Sequence, residues 1–334
     1  MKAMTKLATA MSMVLAFGSA QAADECQSGE TVIKFSHVTA AVGHPKGEAA
    51  EELAKRVNKE MDGKVCMQVF PNSQLYDDKK VLEAMLGGDV QLAAPSLSKF
   101  EKFTKKFRIF DLPFMFNDIN AVDRFQNSDA GQKLLDSMQR KGLQGLGYWH
   151  NGMKQLSANK PLVSPKDAEG LKFRIMTSDV LKAQFEAVNA NPQKMSFKEV
   201  YGGLQTGVID GQENTWSNIF TKKFFEVQDG VTESNHGVLD YLLVTSTEFW
   251  NSLDSDTRSQ LKKIIDEVTA EANAKSTEIN NANRQKVIAS GKEVRQLSPA
   301  QRSAWVNAMK PVWDQFAGDI GADMIDAAQK ANQM

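Results

Sequence analysis

From residue 31 onward, short runs of β-branched and aromatic residues alternate with longer stretches that carry a helical period. Thr31–Ser36 (TVIKFS) reads as a strand. Over residues 48–61, Ala49, Ala50, Leu53, Val57 and Met61 fall on one helical face, and Gly63 follows as a stop. Val65–Phe70 alternates as a strand and ends at the turn cluster Pro71-Asn72-Ser73. Asp77 is placed to cap a helix running to Gly87-Gly88, and 90–94 is the next strand. This βαβαβ order opens a parallel sheet. Ligands of such sheets sit beyond the carboxyl ends of the strands, which nominates the loops 36–44, 71–76 and 95–99.

The second half repeats the plan. Residues 171–176 read as a strand, with Ser178 or Asp179 able to cap the helix that follows. Ser196-Phe197-Lys198-Glu199 has the spacing of a capping box, in which Ser reaches forward and Glu back to unpaired amides. That helix ends at Gly207, and 208–211 is a short strand leading into Gln212-Glu213-Asn214. The helix–Gly–strand order echoes 81–94, so the chain is expected to build two lobes with a cleft between them. Residues 255–290 contain neither Gly nor Pro, and Leu261, Ile264, Ile265, Val268, Ala272 and Ile279 share a face. At 1.5 Å per residue such a helix outspans one lobe and would brace both.

The ends and the charge narrow the setting. Lys2 and Lys6, an apolar stretch over 7–17 and Ala20-Gln21-Ala22 describe a secretory leader covering 1–22. Its apolar core is about half the ~20 residues a bilayer span needs, and no later stretch is apolar enough. Without Lys2 and Lys6, 38 basic side chains face 41 acidic ones. An acidic balance disfavours nucleic acid as a partner, because phosphate binding needs a basic surface. About 310 mature residues exceed one comfortable core. The two cysteines, Cys26 and Cys66, lie just before the first strand and at the start of the second. In an oxidising compartment they can bond if those strands are neighbours; otherwise they are two separate buried thiols.

No phosphate loop, dinucleotide fingerprint, zinc-protease motif, paired CxxC or nucleophile elbow is present. His37, His44, His150 and His236 lack metal-ligand spacing, so neither a cofactor nor catalysis is indicated. Residues 99–116 interleave Lys102, Lys105, Lys106 and Arg108 with phenylalanines. Phe100, Phe103 and Phe107 share a helical face, which favours core packing over a nucleic-acid or membrane surface. Gln212 to Asn218 gathers amides and the Trp216 indole after a short strand, a set that either orients a polar ligand or bonds within its own loop. Arg174 lies inside an apolar strand. It either meets a structural carboxylate or awaits the carboxylate of a ligand.

Several segments resemble, in order and over essentially the whole mature chain, the dicarboxylate-binding branch of the solute receptors of TRAP (tripartite ATP-independent periplasmic) transporters. They are IKFSH (33–37), FPNSQL (70–75), AAPSLSKF (93–100), FDLPF (110–114), GMKQLSANKP (152–161), GLKFR (170–174) and QTGVIDGQENTWSNI (205–219). The resemblance implies an α/β, two-lobed periplasmic-binding-protein fold of type II-like form, with a long helix spanning both lobes. The lobes are taken as 23–150 plus 238–279 and 151–237 plus 280–334. It also implies a periplasmic receptor that passes a small organic acid to an ion-gradient-driven permease, with a C4-dicarboxylate first and another organic acid second; a monomer is the default expectation.

By the same resemblance Arg174 is the carboxylate anchor and Asn214 contacts the same carboxylate. Lys154 stands where sialic-acid-binding relatives carry an arginine. Phe197 lines the pocket, Ser96 and Lys99 supply the first lobe's polar contacts, and Trp216 and Asn218 mark the dicarboxylate branch. His37 in the first loop, and Trp149 and Asn151 on either side of His150, complete the expected ligand set. Two positions depart from the branch: Gly202-Gly203 inside a helix, and His150 in place of an acidic residue.

Overall fold

The computed structural model describes residues 26–333, so the expected leader over 1–22 lies outside the described residues. Two sheets form. The first contains β1 (Thr31–Ser36), β2 (Val65–Phe70), β3 (Leu92–Ala93), β4 (Leu143–Met153) and β10 (Val238–Ser246), in the order β2-β1-β3-β10-β4. Its β1, β2 and β3 are parallel, as the βαβαβ pattern predicts, and β10 runs antiparallel to β3 and β4. The second contains β5 (Gln155–Ala158), β6 (Lys172–Ile175), β7 (Asn191–Lys194), β8 (Gly211–Asn214), β9 (Gly230–Glu233) and β11 (Glu293–Gln296), in the order β11-β9-β5-β8-β6-β7.

Because β1 and β2 pair, with Val32 opposite Cys66, the condition for a disulfide is met. Cys26 and Cys66 are bonded, with Cα atoms 5.5 Å apart. The first helix, Pro45–Glu60, buries Ala49, Ala50, Leu53 and Val57 against this sheet. Of the phenylalanine-rich stretch, Phe100, Phe107 and Phe110 are core residues, and Phe100 and Phe107 lie 5.4 Å apart. They sit on two 3₁₀ turns, Leu97–Phe100 and Lys105–Phe110, rather than one helix. Extended Thr104, whose hydroxyl accepts the Lys106 N–H, separates the two.

Two strand-to-strand passages join the sheets. Residue 154 links β4 to β5, and residues 234–237 link β9 to β10. The passages touch: the Lys154 N–H donates to Gly237 O at 2.7 Å, and a Cβ on Gly237 would come 2.8 Å from Lys154 Cε. Behind them runs the long helix, Ser255–Ala289, capped by Asp254. Thirty-five residues span about 50 Å. Leu261, Ile264, Ile265 and Val268 are buried in its first half, whereas Ser276, Asn280 and Asn283 are buried in its second.

Two expectations need correction. Residues 312–331, assigned on sequence to the second lobe, form helices Val312–Ile320 and Ala322–Ala331 that pack on the first. Val312, Ile320, Met324 and Ala328 bury themselves against Phe107, Phe110, Val122 and Phe125, an apolar surface that local pattern does not reveal. The strand expected at 208–211 lies instead at Gly211–Asn214. Its polar residues read as a loop, but their side chains are paired inside the protein.

Candidate functional site

A cavity of about 840 Å³ opens between the lobes where strands of both sheets end. The first lobe contributes Val38 and Thr39 after β1, Asp77 and Asp78 beyond β2, and Ser96 and Lys99 after β3. The second contributes Arg174 and Met176 at the end of β6, residues 194–199 from the end of β7 onward, Asn214 at the end of β8, and Asn218 on the helix Trp216–Thr221 that follows. Two of the three nominated loops therefore reach the cavity wall. The third, 71–76, stops just short of it.

Arg174 sits in β6 between β7 and β8, its side chain directed to the cleft by the strand's alternation. It is 3 % exposed, and its Nε donates to Met195 O at 3.0 Å. Among the described residues no carboxylate lies within 4.0 Å of its guanidinium, so the charge has no direct protein partner. Burial draws its pKa down to about 10, opposed by the fields of Glu213 and Asp78. The Phe197 ring lies 5.8 Å from its Cζ and covers the guanidinium from one side.

Lys99 supplies a cation from the opposite lobe. Burial pulls its pKa to about 8, Asp78 resists this, and the nearby Arg174 charge adds to it. Asp78 accepts from the Ser96 N–H and hydroxyl at 3.4 and 3.5 Å. Gly203, which looked out of place in a helix, faces the same cavity. A Cβ there would meet Ile209 and Met195 at 3.1 Å, so the absent side chain keeps the wall from being pushed inward.

A line of amides with fixed polarity crosses the floor. His44 Nδ1 accepts the Lys46 N–H at the start of the first helix, which leaves the ring proton on Nε2. Burial, then the Lys46 charge, keep this ring neutral. Nε2 donates to Asn218 Oδ1 at 2.9 Å, Asn218 Nδ2 to Asn214 Oδ1 at 2.7 Å, and Asn214 Nδ2 to Gln212 Oε1 at 2.6 Å. Gln212 Nε2 donates onward to Ser157 Oγ at 2.7 Å. Each amide oxygen is thus occupied, while the second N–H of Asn214 and of Asn218 remains for the cavity. Two cations, oriented N–H donors and one aromatic face can hold a small anion with a short apolar stem by charge-assisted bonds.

The remaining expected residues lie behind this wall. Lys154 is fully buried, its Nζ 2.8 Å from Glu213 Oε1, so its charge is spent inside the protein. Glu213 Oε2 is also 2.7 Å from His236 Nε2. Burial alone would raise this carboxyl, but Lys154 and His236 outweigh it and hold its pKa at about 2. Trp216 packs with Ile219, Phe225 and Val287, away from the cleft. Trp149 stacks edge-on to Phe35 and donates to Thr269 Oγ1. Asn151 donates to Tyr241 Oη and accepts from Ser217 Oγ, so it supports the wall rather than forming it. His37 is buried behind Thr39, bonded to it through Nδ1. His150 faces a separate cavity of about 570 Å³ beside the long helix, between Asp240 and Asp123, and does not alter the cleft.

Sequence reasoning missed Tyr241, Asp78, His44 and Lys46. Tyr241 lines the cleft from β10, a strand whose early Asp240 disguises it. Asp78 lies just past the nominated loop 71–76, and Lys46 falls between the nominated loop 36–44 and the helical face that begins at 48, although the helix starts at Pro45. Among the described residues, the only His, Cys, Asp and Glu group with metal-ligand proximity is Cys26, Glu30 and Cys66, and its sulfurs are bonded to each other.

Residues 35–319 match the model of the DctP family, bacterial extracellular solute-binding proteins of family 7. The C4-dicarboxylate-binding periplasmic protein DctP of Vibrio cholerae is 65% identical over 320 residues, 96% of each chain. A solved TRAP periplasmic solute-binding protein from Shewanella oneidensis, with bound succinate, superposes with a TM-score of 0.89 at 54% identity, covering 91% of this chain and 99% of that one. Another, from Pseudomonas aeruginosa with bound L-malate, gives 0.83 at 45% identity, covering 85% and 99%.

Proposed function

The chain belongs to the DctP family, family 7 of the bacterial extracellular solute-binding proteins, and from that premise we propose that it captures a C4-dicarboxylate of the succinate, malate or fumarate type and passes it to a TRAP permease. The periplasm is its place of work, reached through the leader at 1–22, and it acts as a monomer without catalysis. The observation that carries this reading is the buried Arg174 guanidinium, which has no counter-charge within 4.0 Å among the described residues. A buried charge is costly unless it is paired, and an incoming carboxylate supplies the pair.

In this reading Arg174 grips one carboxylate, Asn214 and Asn218 donate to it, and Phe197 covers the carbon chain. Lys99 and Ser96 reach the other carboxylate from the first lobe. The cavity is far larger than eight heavy atoms, so the lobes close further on the ligand, twisting at residues 154 and 234–237. Ligand contacts in both lobes select the closed form, which the permease then recognises. Lys154, Trp216, Trp149, Asn151 and His37 act behind the wall, as supports.

Titration calorimetry with succinate, L-malate, fumarate and a set of sugar acids tests the proposal. A C4-dicarboxylate is expected to bind most tightly, and Arg174→Ala to lose about 100-fold or more in affinity. Preference for a sugar acid, or near-normal succinate binding by Arg174→Ala, overturns it.

A further inference from the structure

Lys46 is a buried cation whose one task so far is to help burial keep His44 neutral. It is the second residue of the first helix, is 0 % exposed, and donates from Nζ to Ala94 O at 2.9 Å. The same ammonium lies 3.7 Å above the centre of the Tyr241 ring. No carboxylate stands within 4.0 Å of it among the described residues. The position is unfavourable three times over: the charge is desolvated, it lacks a counter-ion, and it sits at the positive end of a helix dipole. A methionine would fill the same space without those costs.

What lies in front of the ammonium gives it a purpose. Ala94 is two residues before Ser96, and Ser96 forms a β-bridge with Tyr241. Ser96 and Tyr241 are both cleft-wall residues, so Lys46 sits directly behind the wall of the first lobe. The groups that act on it are Asp78, which favours its charge, and Lys222, which opposes it; His44 and His37 nearby are held neutral by burial. Burial leaves its pKa at about 8, so it is mostly protonated at neutral pH.

We propose that Lys46 sets the charge selectivity of the cleft: its field, acting through the Ser96–Tyr241 wall without touching the ligand, favours dianions over monoanions of the same shape. This inference rests on the dicarboxylate reading above. The interaction scales with ligand charge, and across several ångströms of protein interior it survives screening. A dianion therefore gains more from it than a monoanion does.

The test compares succinate with succinamate, which has the same length and one carboxylate replaced by an amide. Calorimetry at pH 7 is run on the mature protein and on Lys46→Met and Lys46→Gln, the latter keeping a donor for Ala94 O. Both variants are expected to lose about tenfold or more for succinate and only about threefold for succinamate. Without ligand, both are expected to melt no lower than wild type, because an unpaired buried charge has gone. The inference is overturned if the variants keep the wild-type preference, if Lys46→Gln alone keeps it, or if both melt lower and lose the two ligands in equal proportion. A wild type with no preference for succinate sinks the dicarboxylate reading as well, whereas variants that retain a wild-type preference sink this inference alone.

Discussion

His44 Nε2 lies 2.9 Å from Asn218 Oδ1, joining the N-cap of a first-lobe helix to a side chain of the second lobe. The bond reaches across the cleft floor and also fixes which way the amides of Asn218 and Asn214 face. Since the other ring nitrogen is committed to the Lys46 N–H, the imidazole has one tautomer available, and that choice is passed along the line of amides.

Removing His44 should therefore weaken ligand binding without any lost contact to the ligand. His44→Ala is expected to reduce succinate affinity about tenfold, roughly 1.4 kcal/mol, because Asn218 can then present its oxygen to an incoming carboxylate. His44→Asn, whose side chain can still cap the helix, should recover the stability of the helix start but not the affinity. Calorimetry and thermal melting on the two variants read these effects separately.

Lys154 should act on stability first. Its ammonium neutralises one side of Glu213, which is buried with Gln184 and His236 around it. Lys154→Met leaves that carboxylate without a cation, because burial lowers the pKa of His236 and keeps it a neutral hydrogen-bond partner. The expected loss is about 3 kcal/mol, read as a lower urea midpoint with an unchanged slope. A variant as stable as wild type contradicts the pairing.

His150 predicts a loss of stability on the alkaline side. Burial lowers its pKa, but Asp240 and Asp123 outweigh burial and raise it from 6.5 to about 9. The folded state thus holds the proton more tightly than the unfolded chain. Its contribution is complete below about pH 6.5 and is lost as pH rises through 9. Lys46 and Lys99, with pKa values lowered to about 8, act in the opposite sense between 8 and 10.5. The informative quantity is accordingly the difference between wild type and His150→Gln. That difference should shrink by roughly 3 kcal/mol between pH 6 and pH 9.5.

The Cys26–Cys66 bond closes a sequence separation of 40. Loop-closure entropy gives it at most about 4 kcal/mol of stability. Cys26→Ser with Cys66→Ser should lower the melting temperature by several degrees and leave the succinate affinity within about twofold, since neither residue lines the cleft.

Much of this site could be read from local pattern. β1 follows from its β-forming residues and β2 from alternation, Glu199 reaches back to the Ser196 N–H as the capping-box spacing predicts while Ser196 Oγ finds no partner, and Arg174 stands out as a charge inside an apolar strand. What escaped depends on partners distant in sequence. Lys154 passed for a ligand-facing cation because Glu213, 59 residues on, gives no sign of the pairing. β8 was displaced because Gln212, Glu213 and Asn214 read as solvated until Ser157, Lys154 and Asn218 are brought beside them. The same holds for helices Val312–Ile320 and Ala322–Ala331, whose apolar faces fit either lobe until the phenylalanine cluster is assembled.

The tight approach of Gly237 to Lys154 has a mechanical outcome. A Cβ on Gly237 would meet the Lys154 side chain, and a backbone hydrogen bond crosses the gap, so the two passages are coupled to each other. They behave as one double-stranded ribbon, which yields readily to torsion and poorly to shear. In the closure proposed above, a coupling of this kind lets the lobes turn more readily than slide, which brings Arg174 back to the same part of the opposing wall.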